Sequence, residues 1–440
     1  MVVRPGPPLT GRFAPPGDKS ITHRACLLGA LADGVTRVRN ANPGADARAT
    51  LAAVQMLGAR VDVTGETLAI TGAGGALAEP ADVIDCGNSG TALRMLAGVL
   101  APHPLLAVLT GDASLRARPM ARVIEPLTAM GATLVARGGN RLPPLVVRGA
   151  RLTGIRWRLE VASAQVASCV LLAGLGAAGE TVVELPGPAR DHTERMLPAF
   201  GIEVARADGD GAHRLAVRGP VVPRATGLTV PGDFSAAAFF LAAAAAAPGA
   251  SVTATGVGLN PTRTGLLQVL EAMGARVETT VRGHEANEPV GDVTVTGPAR
   301  LRAFDVPAAW LPRLVDEVPA WAVAAAAADG VSRVQGAAEL RVKESDRLAA
   351  LAQGLAALGI EVGEAPDGLA IRGGPVAGGR VRAHDDHRIA MAFAVLATRA
   401  GGEVSIDDAR GIGTSYPSFG EQFRALGGAT DGIPGELPSR

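Results

Sequence analysis

Six times along the chain, a short polar stretch leads directly into a long apolar run, as in GDKSITHRACLLGALADG at residues 17–34. One polar residue at each start marks the repeat, at intervals of 69 to 81 residues: Ser20, Ser89, Ser163, Ser235, Asp316 and Asp386. A helix that is apolar on all of its faces is typical of a protein core. The pattern therefore predicts six buried helices, each with a polar start.

A second pattern repeats at nearly the same interval, and it consists of a large apolar residue, a glycine and a small or apolar residue. The glycines are Gly58, Gly131, Gly201, Gly274, Gly359 and Gly427. Glycine adopts the left-handed backbone that ends many helices at little cost. An alternation of polar and apolar residues, typical of a strand, follows each of the first five. The chain is thus predicted to consist of six copies of one unit of about 70 residues, each with two helices and several strands.

Six such units in 440 residues most simply form two domains of three units each. The unit is longer than ordinary solenoid repeats, which favours closed domains over an open array. Lysine and arginine balance aspartate and glutamate, 42 against 42, and aromatic residues make up only 3% of the chain. This composition argues against a nucleic-acid partner, which usually requires a basic face and stacking rings.

No membrane span or secretion signal is expected either. The longest apolar run, residues 234–247, is shorter than the roughly 18 residues of a bilayer span. Prolines interrupt the N-terminal segment where a signal peptide needs an apolar stretch. Cys26, Cys86 and Cys169 each lie in an apolar run, so we expect reduced core residues in a cytoplasmic protein.

The polar starts carry more cations than helix capping needs. Serine, aspartate and asparagine cap helices in any protein, but lysine and arginine do not serve that purpose. Seven cations stand in dense polar clusters: Lys19, Arg24, Arg94, Arg118, Lys343, Arg347 and Arg388. Helix N-termini and arginine forks both suit phosphate and carboxylate groups. We therefore expect small substrates that carry several negative charges.

Several carboxylates beside these cations are candidates for acid–base chemistry: Asp316, Glu317, Glu344, Asp346 and Asp386. For Glu344 and Asp346, an ordinary run of surface ion pairs explains the spacing equally well. The seven histidines show no paired-ligand spacing apart from His384 and His387, and no cysteine lies near those two, so no metal is expected. The chain also has neither a GxSxG nor a GxxxxGK[ST] motif.

Eight segments, in order, resemble the 5-enolpyruvylshikimate-3-phosphate synthase family from about Gly17 to Phe423: PGDKSITHR, GNSGTALR, GDASLRARPM, SAQVAS, RDHTERML, RTGLL, ELRVKESDRL and DHRIAMAF. The resemblance implies an α/β fold, a two-domain inside-out barrel of six βαβαββ units with three units per domain. The expected domains are residues 22–232, and residues 1–21 together with 233–440. The active site is expected in the cleft between them.

The resemblance also implies the reaction, in which the enolpyruvyl group of phosphoenolpyruvate moves to the 5-hydroxyl of shikimate 3-phosphate and phosphate is released. Neither a cofactor nor a metal is expected. The implied ligands of shikimate 3-phosphate are Lys19, Ser20, Arg24, Ser163, Gln165, Arg190, Asp316 and Lys343. The implied ligands of phosphoenolpyruvate are Lys19, Asn88, Gly90, Arg118, Gln165, Arg347 and Arg388. Asp316 is expected to accept the hydroxyl proton, and Lys19 and Glu344 to donate a proton to the enol carbon.

The chain departs from the family pattern at three positions. Ala164 and Ala167 replace a serine and a lysine of many members, and Thr414 stands where some members have a lysine that binds phosphoenolpyruvate. Either substrate's affinity is therefore expected to differ from that of other members. Gly90 matches the glycine of members that are sensitive to the inhibitor glyphosate, which occupies the phosphoenolpyruvate site.

Two alternative functions are compatible with parts of this pattern. A UDP-N-acetylglucosamine enolpyruvyl transferase would share the fold but needs a loop cysteine, which GDASLRARPM lacks. A non-catalytic repeat protein that binds phosphorylated metabolites would bind both substrates without releasing phosphate. The expected protein is a monomer.

Overall fold

Each of the six apolar runs forms a helix in the computed structural model of the chain, which describes residues 1–65, 67–209 and 212–432. The helices are α1 (Lys19–Leu31), α2 (Ala45–Met56), α3 (Gly90–Leu100), α4 (Ala121–Met130), the short turn α5 (Arg137–Asn140), α6 (Ala164–Gly174), α7 (His192–Met196), α8 (Phe234–Ala245), α9 (Gly265–Ala272), α10 (Val318–Ala327), α11 (Arg347–Ala357), α12 (His387–Ala397) and α13 (Phe419–Ala425). The predicted buried helices are α1, α3, α6, α8, α10 and α12, and this prediction is confirmed. Short 3-10 helices cover Leu115–Ala117, Leu197–Phe200, Ala308–Arg313, Val315–Glu317, Ala338–Val342 and Ala409–Thr414.

The polar starts do cap these helices. In five of the six, the side chain of the capping residue accepts a hydrogen bond from a backbone N–H of the first turn: Asp18, Ser89, Ser163, Asp233 and Asp386. The sixth, α10, has Pro319 in its first turn, where a proline sacrifices no helical hydrogen bond. The caps account for the aspartates and serines of the six starts but not for the cations beside them.

The six repeated glycines lie where the sequence predicts helix ends. Each follows a helical segment, and all six have a positive φ, between 76° and 117°. Residues with a Cβ rarely adopt this conformation, which explains why glycine recurs there.

The strands are β1 (Val2–Arg4), β2 (Gly11–Phe13), β3 (Val35–Arg39), β4 (Arg60–Thr64), β5 (Thr67–Thr71), β6 (Ile84–Asp85), β7 (Leu106–Thr110), β8 (Thr133–Ala136), β9 (Leu142–Arg148), β10 (Arg156–Arg158), β11 (Gly179–Leu185), β12 (Ala205–Gly209), β13 (Ala212–Gly219), β14 (Gly227–Thr229), β15 (Ser251–Gly258), β16 (Arg276–Glu285), β17 (Glu288–Thr296), β18 (Val331–Val334), β19 (Glu361–Ala365), β20 (Gly368–Arg372), β21 (Gly379–Arg382), β22 (Val404–Asp407) and β23 (Ala429–Asp431). Among the described residues they form six sheets, five with four strands and one with three.

The six sheets share one plan. In the order β6-β7-β9-β8, for example, the first pair is parallel and the next two pairs are antiparallel. The three-stranded sheet β18-β20-β19 follows the same plan, because residues 302–306 run parallel to β18 in the place of a fourth strand. Parallel neighbours need a crossover, and a buried helix supplies it in four of the sheets, through α3, α6, α10 and α12. The predicted βαβαββ unit is confirmed.

Three of the sheets are completed by strands that are distant in sequence. The N-terminal strand β1 lies between β22 and β23, and β2 pairs with β15. Likewise, β14 returns to pair with β3, which closes the first unit. Because of these exchanges, the first residues of the chain fold with its C-terminal half.

The chain divides into two units, each with its own hydrophobic core. The N-unit contains Gly17–Val230 and Glu285–Glu288, the turn between β16 and β17. The C-unit contains Met1–Pro16, Pro231–His284 and the described residues from Pro289 onward. The expected domain boundaries, 21/22 and 232/233, lie a few residues after the boundaries of these units, 16/17 and 230/231.

The three cysteines are buried, and burial raises the pKa of each thiol to about 12. Among the described residues, no helix is both long and apolar enough to cross a membrane.

Close approach of α3 and α6 in the N-unit depends on a glycine. A Cβ built on Gly98 of α3 would lie 2.2 Å from the backbone oxygen of Cys169 in α6. That distance is well inside the roughly 3.5 Å of a normal contact. The starts of both helices carry predicted site residues, so this packing also sets where those residues lie.

We predict that Gly98→Ala destabilises the protein. In an exposed helix the change would add about 1 kcal/mol of stability. Here the helices must separate, so the free energy of unfolding should fall by about 1–3 kcal/mol in urea denaturation. The control is Gly227→Ala, since a Cβ at Gly227 meets open space. Equal stability of Gly98→Ala and wild type would contradict the prediction.

Candidate functional site

The start of α1 holds the ammonium group of Lys19 in place. Its Nζ lies 2.8 Å from Oδ2 of Asp46, in the first turn of α2, and both side chains are largely buried. An ammonium group has three N–H donors, so a carboxylate that binds one of them fixes the direction in which the others act. Lys19 is therefore positioned by α2 as well as by its own helix.

Further along α1, Arg24 is buried and held by neutral groups. It donates hydrogen bonds to Oγ1 of Thr193 and Oγ of Ser168, both at 2.7 Å, and to the backbone oxygen of Ser20 at 2.9 Å. These three acceptors orient the guanidinium, which also interacts electrostatically with Glu194 of α7. Arg24 thus joins α1 to α6 and α7 and keeps a positive charge inside the N-unit.

His23 connects two helix starts and is structural. Its Nδ1 lies 2.6 Å from Oγ1 of Thr50, and its Nε2 lies 3.5 Å from Oγ of Ser89, the cap of α3. Burial, followed by the charges of Lys19 and Arg24, holds the pKa of His23 well below its ordinary value. The imidazole is therefore neutral at pH 7 and adds no charge to the cluster.

Two guanidinium groups converge on Gly90 at the start of α3. A Cβ built on Gly90 would lie 3.0 Å from Nη1 of Arg94 and 3.1 Å from Nη1 of Arg118. Arg118 donates to Oδ1 of Asn88 at 2.7 Å, and Arg94 donates to Oε1 of Gln165 at 2.6 Å. Four of the predicted site residues therefore come together here, and Arg94, which the predicted ligand sets omit, joins them.

The remaining predicted residues of the N-unit lie at the starts of α6 and α7. Ser163 caps α6, accepting from the backbone N–H of Val166 at 3.5 Å. Arg190 lies two residues before α7, which also supplies Thr193, the partner of Arg24. Arg190 and Arg24 are thus positioned by the same short helix.

In the C-unit, the buried guanidinium of Arg347 organises three carboxylates. Its Nε donates to Asp386 at 2.8 Å, Nη2 donates to Glu344 at 2.6 Å, and Nη1 lies 3.4 Å from Asp316. Burial alone would lower the pKa of Arg347, but Asp386, Glu344 and Asp316 together raise it above its ordinary value. Arg347 is therefore a permanent cation at the start of α11.

Asp316 faces three cations at once. Nη1 of Arg347 lies 3.4 Å from its carboxylate, and Nζ of Lys343 and Nη2 of Arg388 each lie 3.8 Å away. Arg388 also donates from Nη1 to the backbone oxygen of Asp316 at 2.6 Å. All the predicted site residues of the C-unit are thus brought together around one carboxylate.

The two alternatives for Glu344 and Asp346 are separated by their partners. Asp346 caps α11 and forms an ion pair with Arg341 at 2.8 Å, as a surface carboxylate would. Glu344 instead bonds Arg347, which is only 1% exposed. Glu344 therefore belongs to the charged cluster and Asp346 to the helix cap.

The three departures from the family pattern have ordinary local roles. Ala167 is buried within α6, and Ala164 is the first residue of that helix. The hydroxyl of Thr414 donates to the backbone oxygen of Gly411 at 2.7 Å. None of the three supplies the charge that a lysine would.

The sequence did not point to the residues that hold Lys19 and Arg24: Asp46, Ser168 and Thr193. For Arg94 a signal was present, since it lies four residues after Gly90 and therefore on the same face of α3. Among the described residues, no three His, Cys, Asp or Glu side chains are grouped as a metal site would require.

Each unit therefore carries its own cationic cluster at the starts of buried helices. In the N-unit, lysine and arginine donors suit the oxygen atoms of phosphates and carboxylates. The C-unit adds the carboxylate of Asp316, which lies among three cations. Such a set can bind polyanionic substrates and also transfer protons.

Comparison with known proteins gives one family. The model of the EPSP synthase family (3-phosphoshikimate 1-carboxyvinyltransferase) matches residues 3–423. A relative of that enzyme name from Anaeromyxobacter sp. (strain Fw109-5) is 53% identical over 428 residues, 97% of each chain. Another with the same name, from Acidithiobacillus ferrooxidans, is 50% identical over 420 residues, 95% of each chain.

Solved structures agree with this result. An EPSP synthase from Acinetobacter baumannii has a TM-score of 0.85 and 41% identity, and the match covers 97% of this chain and 98% of that one. The enolpyruvyl transferase NikO from Streptomyces tendae has a TM-score of 0.77 with 97% of each chain covered, and at 20% identity it shows a shared fold only. The predicted fold class is confirmed.

Glu194 of α7 generates a prediction about pH. Burial is the main cause that raises the pKa of this carboxyl from the usual 4.5 to about 7, and Asp191 adds to it. Between these values the folded protein holds a proton that the unfolded chain releases, so stability falls as the pH rises. The loss amounts to about 3 kcal/mol at pH 8.

Glu194→Gln should avoid this loss, because an amide stays neutral. We expect the variant to be more stable than wild type at pH 8 and close to it at pH 4.5, measured by urea denaturation at both values. Glu203→Gln, at an exposed glutamate of the same unit, is the control. A stability difference between Glu194→Gln and wild type that does not change with pH would contradict the prediction.

Proposed function

The chain belongs to the EPSP synthase family, and we propose that the polar clusters of its two units bind the two substrates of that reaction. As a 3-phosphoshikimate 1-carboxyvinyltransferase, it transfers the enolpyruvyl group of phosphoenolpyruvate to the 5-hydroxyl of shikimate 3-phosphate. Phosphate is released, and the product leads to chorismate and the aromatic amino acids.

In this proposal shikimate 3-phosphate is bound by Lys19, Ser20, Arg24, Ser163, Gln165, Arg190, Asp316 and Lys343. Arg24 and Arg190 suit the phosphate, because guanidinium groups pair with phosphate oxygens in a bidentate manner. The hydrogen bonds that Arg24 donates to Thr193, Ser168 and the backbone of Ser20 support this role, since they fix the orientation of its guanidinium.

Phosphoenolpyruvate is bound by Lys19, Asn88, Gly90, Arg118, Gln165, Arg347 and Arg388. Arg118 lies beside Gly90, where the backbone has no Cβ to obstruct a ligand. Because Thr414 supplies no lysine, the arginines carry more of the anion's binding energy than in members that have one.

The chemistry is an addition followed by an elimination. The oxygen of the 5-hydroxyl bonds to the central carbon of phosphoenolpyruvate while Asp316 accepts the hydroxyl proton. Lys19 or Glu344 donates a proton to the methylene carbon. In the second step the bond from the central carbon to the phosphate oxygen breaks, and the new methyl group loses a proton to restore the double bond. If the phosphate group of the substrate accepts the hydrogen bond that Arg347 donates to Glu344, the carboxyl group of Glu344 becomes available to donate that proton and to take it back.

The observation that carries these assignments is the position of Asp316 among Lys343, Arg347 and Arg388. A carboxylate so close to three cations can accept a proton from a hydroxyl while its neighbours bind the anions around it. An aspartate placed only to cap a helix would need none of the three.

The protein acts as a monomer in the cytoplasm, without a cofactor or metal. The buried cysteine thiols support a reducing compartment. Sedimentation velocity tests the monomer, and a sedimentation coefficient that increases with protein concentration would contradict it.

Phosphate release tests the function directly. The purified protein should release phosphate from phosphoenolpyruvate when shikimate 3-phosphate is present and not when either is omitted. UDP-N-acetylglucosamine in place of shikimate 3-phosphate should give none. Binding of both substrates without phosphate release would instead favour the non-catalytic alternative.

Asp316→Asn separates proton transfer from binding. The amide keeps the shape and the backbone oxygen that Arg388 contacts, but it cannot accept the proton. Turnover should fall about 100-fold or more, while calorimetry should still detect shikimate 3-phosphate binding. Asp305→Asn, at an exposed aspartate paired with Arg333, is the control. Loss of binding with unchanged turnover per bound complex would make Asp316 a structural residue.

Gly90→Ala should weaken glyphosate inhibition. The new methyl group would crowd Arg94 and Arg118 as well as the ligand. Overpacking of this kind costs about 1–3 kcal/mol, or about 5- to 150-fold in the inhibition constant measured against phosphoenolpyruvate. The KM of phosphoenolpyruvate should rise by less. The control is Gly187→Ala, where a Cβ meets open space, and equal inhibition constants for Gly90→Ala and wild type would remove Gly90 from the site.

A further inference from the structure

A second group of charges lies buried at the starts of α8 and α10, and the proposed reaction uses none of them. Asp233 is 6% exposed, Ser235 4%, Arg263 2% and Glu317 1%. Asp233 and Ser235 belong to the start of α8, Arg263 precedes α9, and Glu317 precedes α10. We call these four residues the buried relay.

Hydrogen bonds connect the relay in one direction. Nη2 of Arg263 donates to Oγ of Ser235 at 2.6 Å and lies 3.2 Å from Oδ1 of Asp233. A guanidinium cannot accept, so the hydroxyl proton of Ser235 is directed to Oε1 of Glu317. Arg263 and Ser235 thus hold the carboxylate of Glu317 in one orientation.

The relay ends at a residue of the proposed phosphoenolpyruvate site. Oε1 of Glu317, the oxygen bound by Ser235, lies 3.8 Å from Nη1 of Arg388. That same nitrogen donates to the backbone oxygen of Asp316 at 2.6 Å. Glu317 therefore places a fully buried negative charge beside the guanidinium of Arg388.

The stability of the fold does not explain why these charged residues are buried together. Burying charged groups costs several kcal/mol per ion, and well-packed apolar residues often replace a buried ion pair without loss. With Arg388 and its partner Asp316 included, the group contains three carboxylates and two guanidinium groups. Because every charge in it has an opposite neighbour, the group can be buried, and it supplies what apolar residues cannot, a fixed direction for the guanidinium of Arg388.

We infer that Glu317 is a positioning residue that orients Arg388 for phosphoenolpyruvate, with Ser235 and Arg263 fixing its carboxylate. The inference rests on the proposed assignment of Arg388 to that substrate. Binding of shikimate 3-phosphate should not depend on Glu317, because none of the proposed ligands of that substrate belongs to the buried relay.

The test is the steady-state kinetics of Glu317→Gln for each substrate. The amide can still accept from Ser235, but it has no charge with which to hold Arg388. We expect the KM of phosphoenolpyruvate to rise about 10-fold, because Arg388 loses the negative charge of its buried ion-pair partner. The KM of shikimate 3-phosphate should change less than twofold.

Ser235→Ala is the second variant, for the case that Glu317→Gln does not fold. It removes one hydroxyl and leaves both charges, so the same selective rise in KM is expected, of about threefold. Asp292→Asn is the matched control, because Asp292 is a buried carboxylate of the C-unit bound to Arg282 at 2.6 Å. Neither KM should change in that variant.

Arg388→Lys, measured in parallel, distinguishes the assignment of Arg388 to phosphoenolpyruvate from the positioning role of Glu317. If it leaves the KM of phosphoenolpyruvate unchanged, the assignment of Arg388 is wrong. If it raises that KM but Glu317→Gln and Ser235→Ala do not, or if they raise both KM values together, the inference about Glu317 is overturned. A selective rise in all three variants supports it.

Discussion

A buried helix must satisfy the N–H groups of its first turn, and this requirement shapes the whole molecule. Six helices lie in the two cores, and at five of them an aspartate or serine side chain accepts those N–H groups. Each buried helix therefore needs polar groups at its start. The chain places its cations there, where the positive end of the helix and the side-chain charges favour the same kind of ligand, an anion. Capping and the proposed anion binding thus share one location, because the backbone requires polar groups there in any case.

Helix packing determines how precisely those helix starts are placed. In the N-unit, Gly98 lets α3 approach the backbone of α6, and the starts of these helices carry Gly90 and Gln165. In the C-unit, Arg347 ties the start of α11 to Asp386 at the start of α12. The first device is steric and the second electrostatic, yet both prevent a helix start from shifting along its neighbour. Site residues on such helices need little additional support to keep their geometry.

The sequence predicts the parts of this structure that depend on local patterns. Gly58 and Gly131 reveal helix ends because a left-handed backbone is a property of one residue, and the six polar starts reveal the repeat in the same way. Contacts between residues that are far apart in the sequence leave no such local pattern. Arg347 meets Asp386 across 39 positions, and Glu317 meets Ser235 across 82, so neither contact could be read from spacing. The resemblance to a family supplied individual residues such as Lys19, but not Asp46, which holds it 27 positions away.

The exchange of strands at the N-terminus has a consequence for synthesis. Val2 pairs with Ser405 and Asp431, so the ribosome makes β1 long before its partners β22 and β23. All of Gly17–Val230 can leave the ribosome in the meantime, while β1 has no sheet to join. An unpaired strand offers its backbone to any exposed edge, and charges and prolines are the usual protection. Arg4 ends β1, and Pro5, Pro7 and Pro8 come soon after it, so they limit what a nascent chain can pair with until β22 and β23 are made.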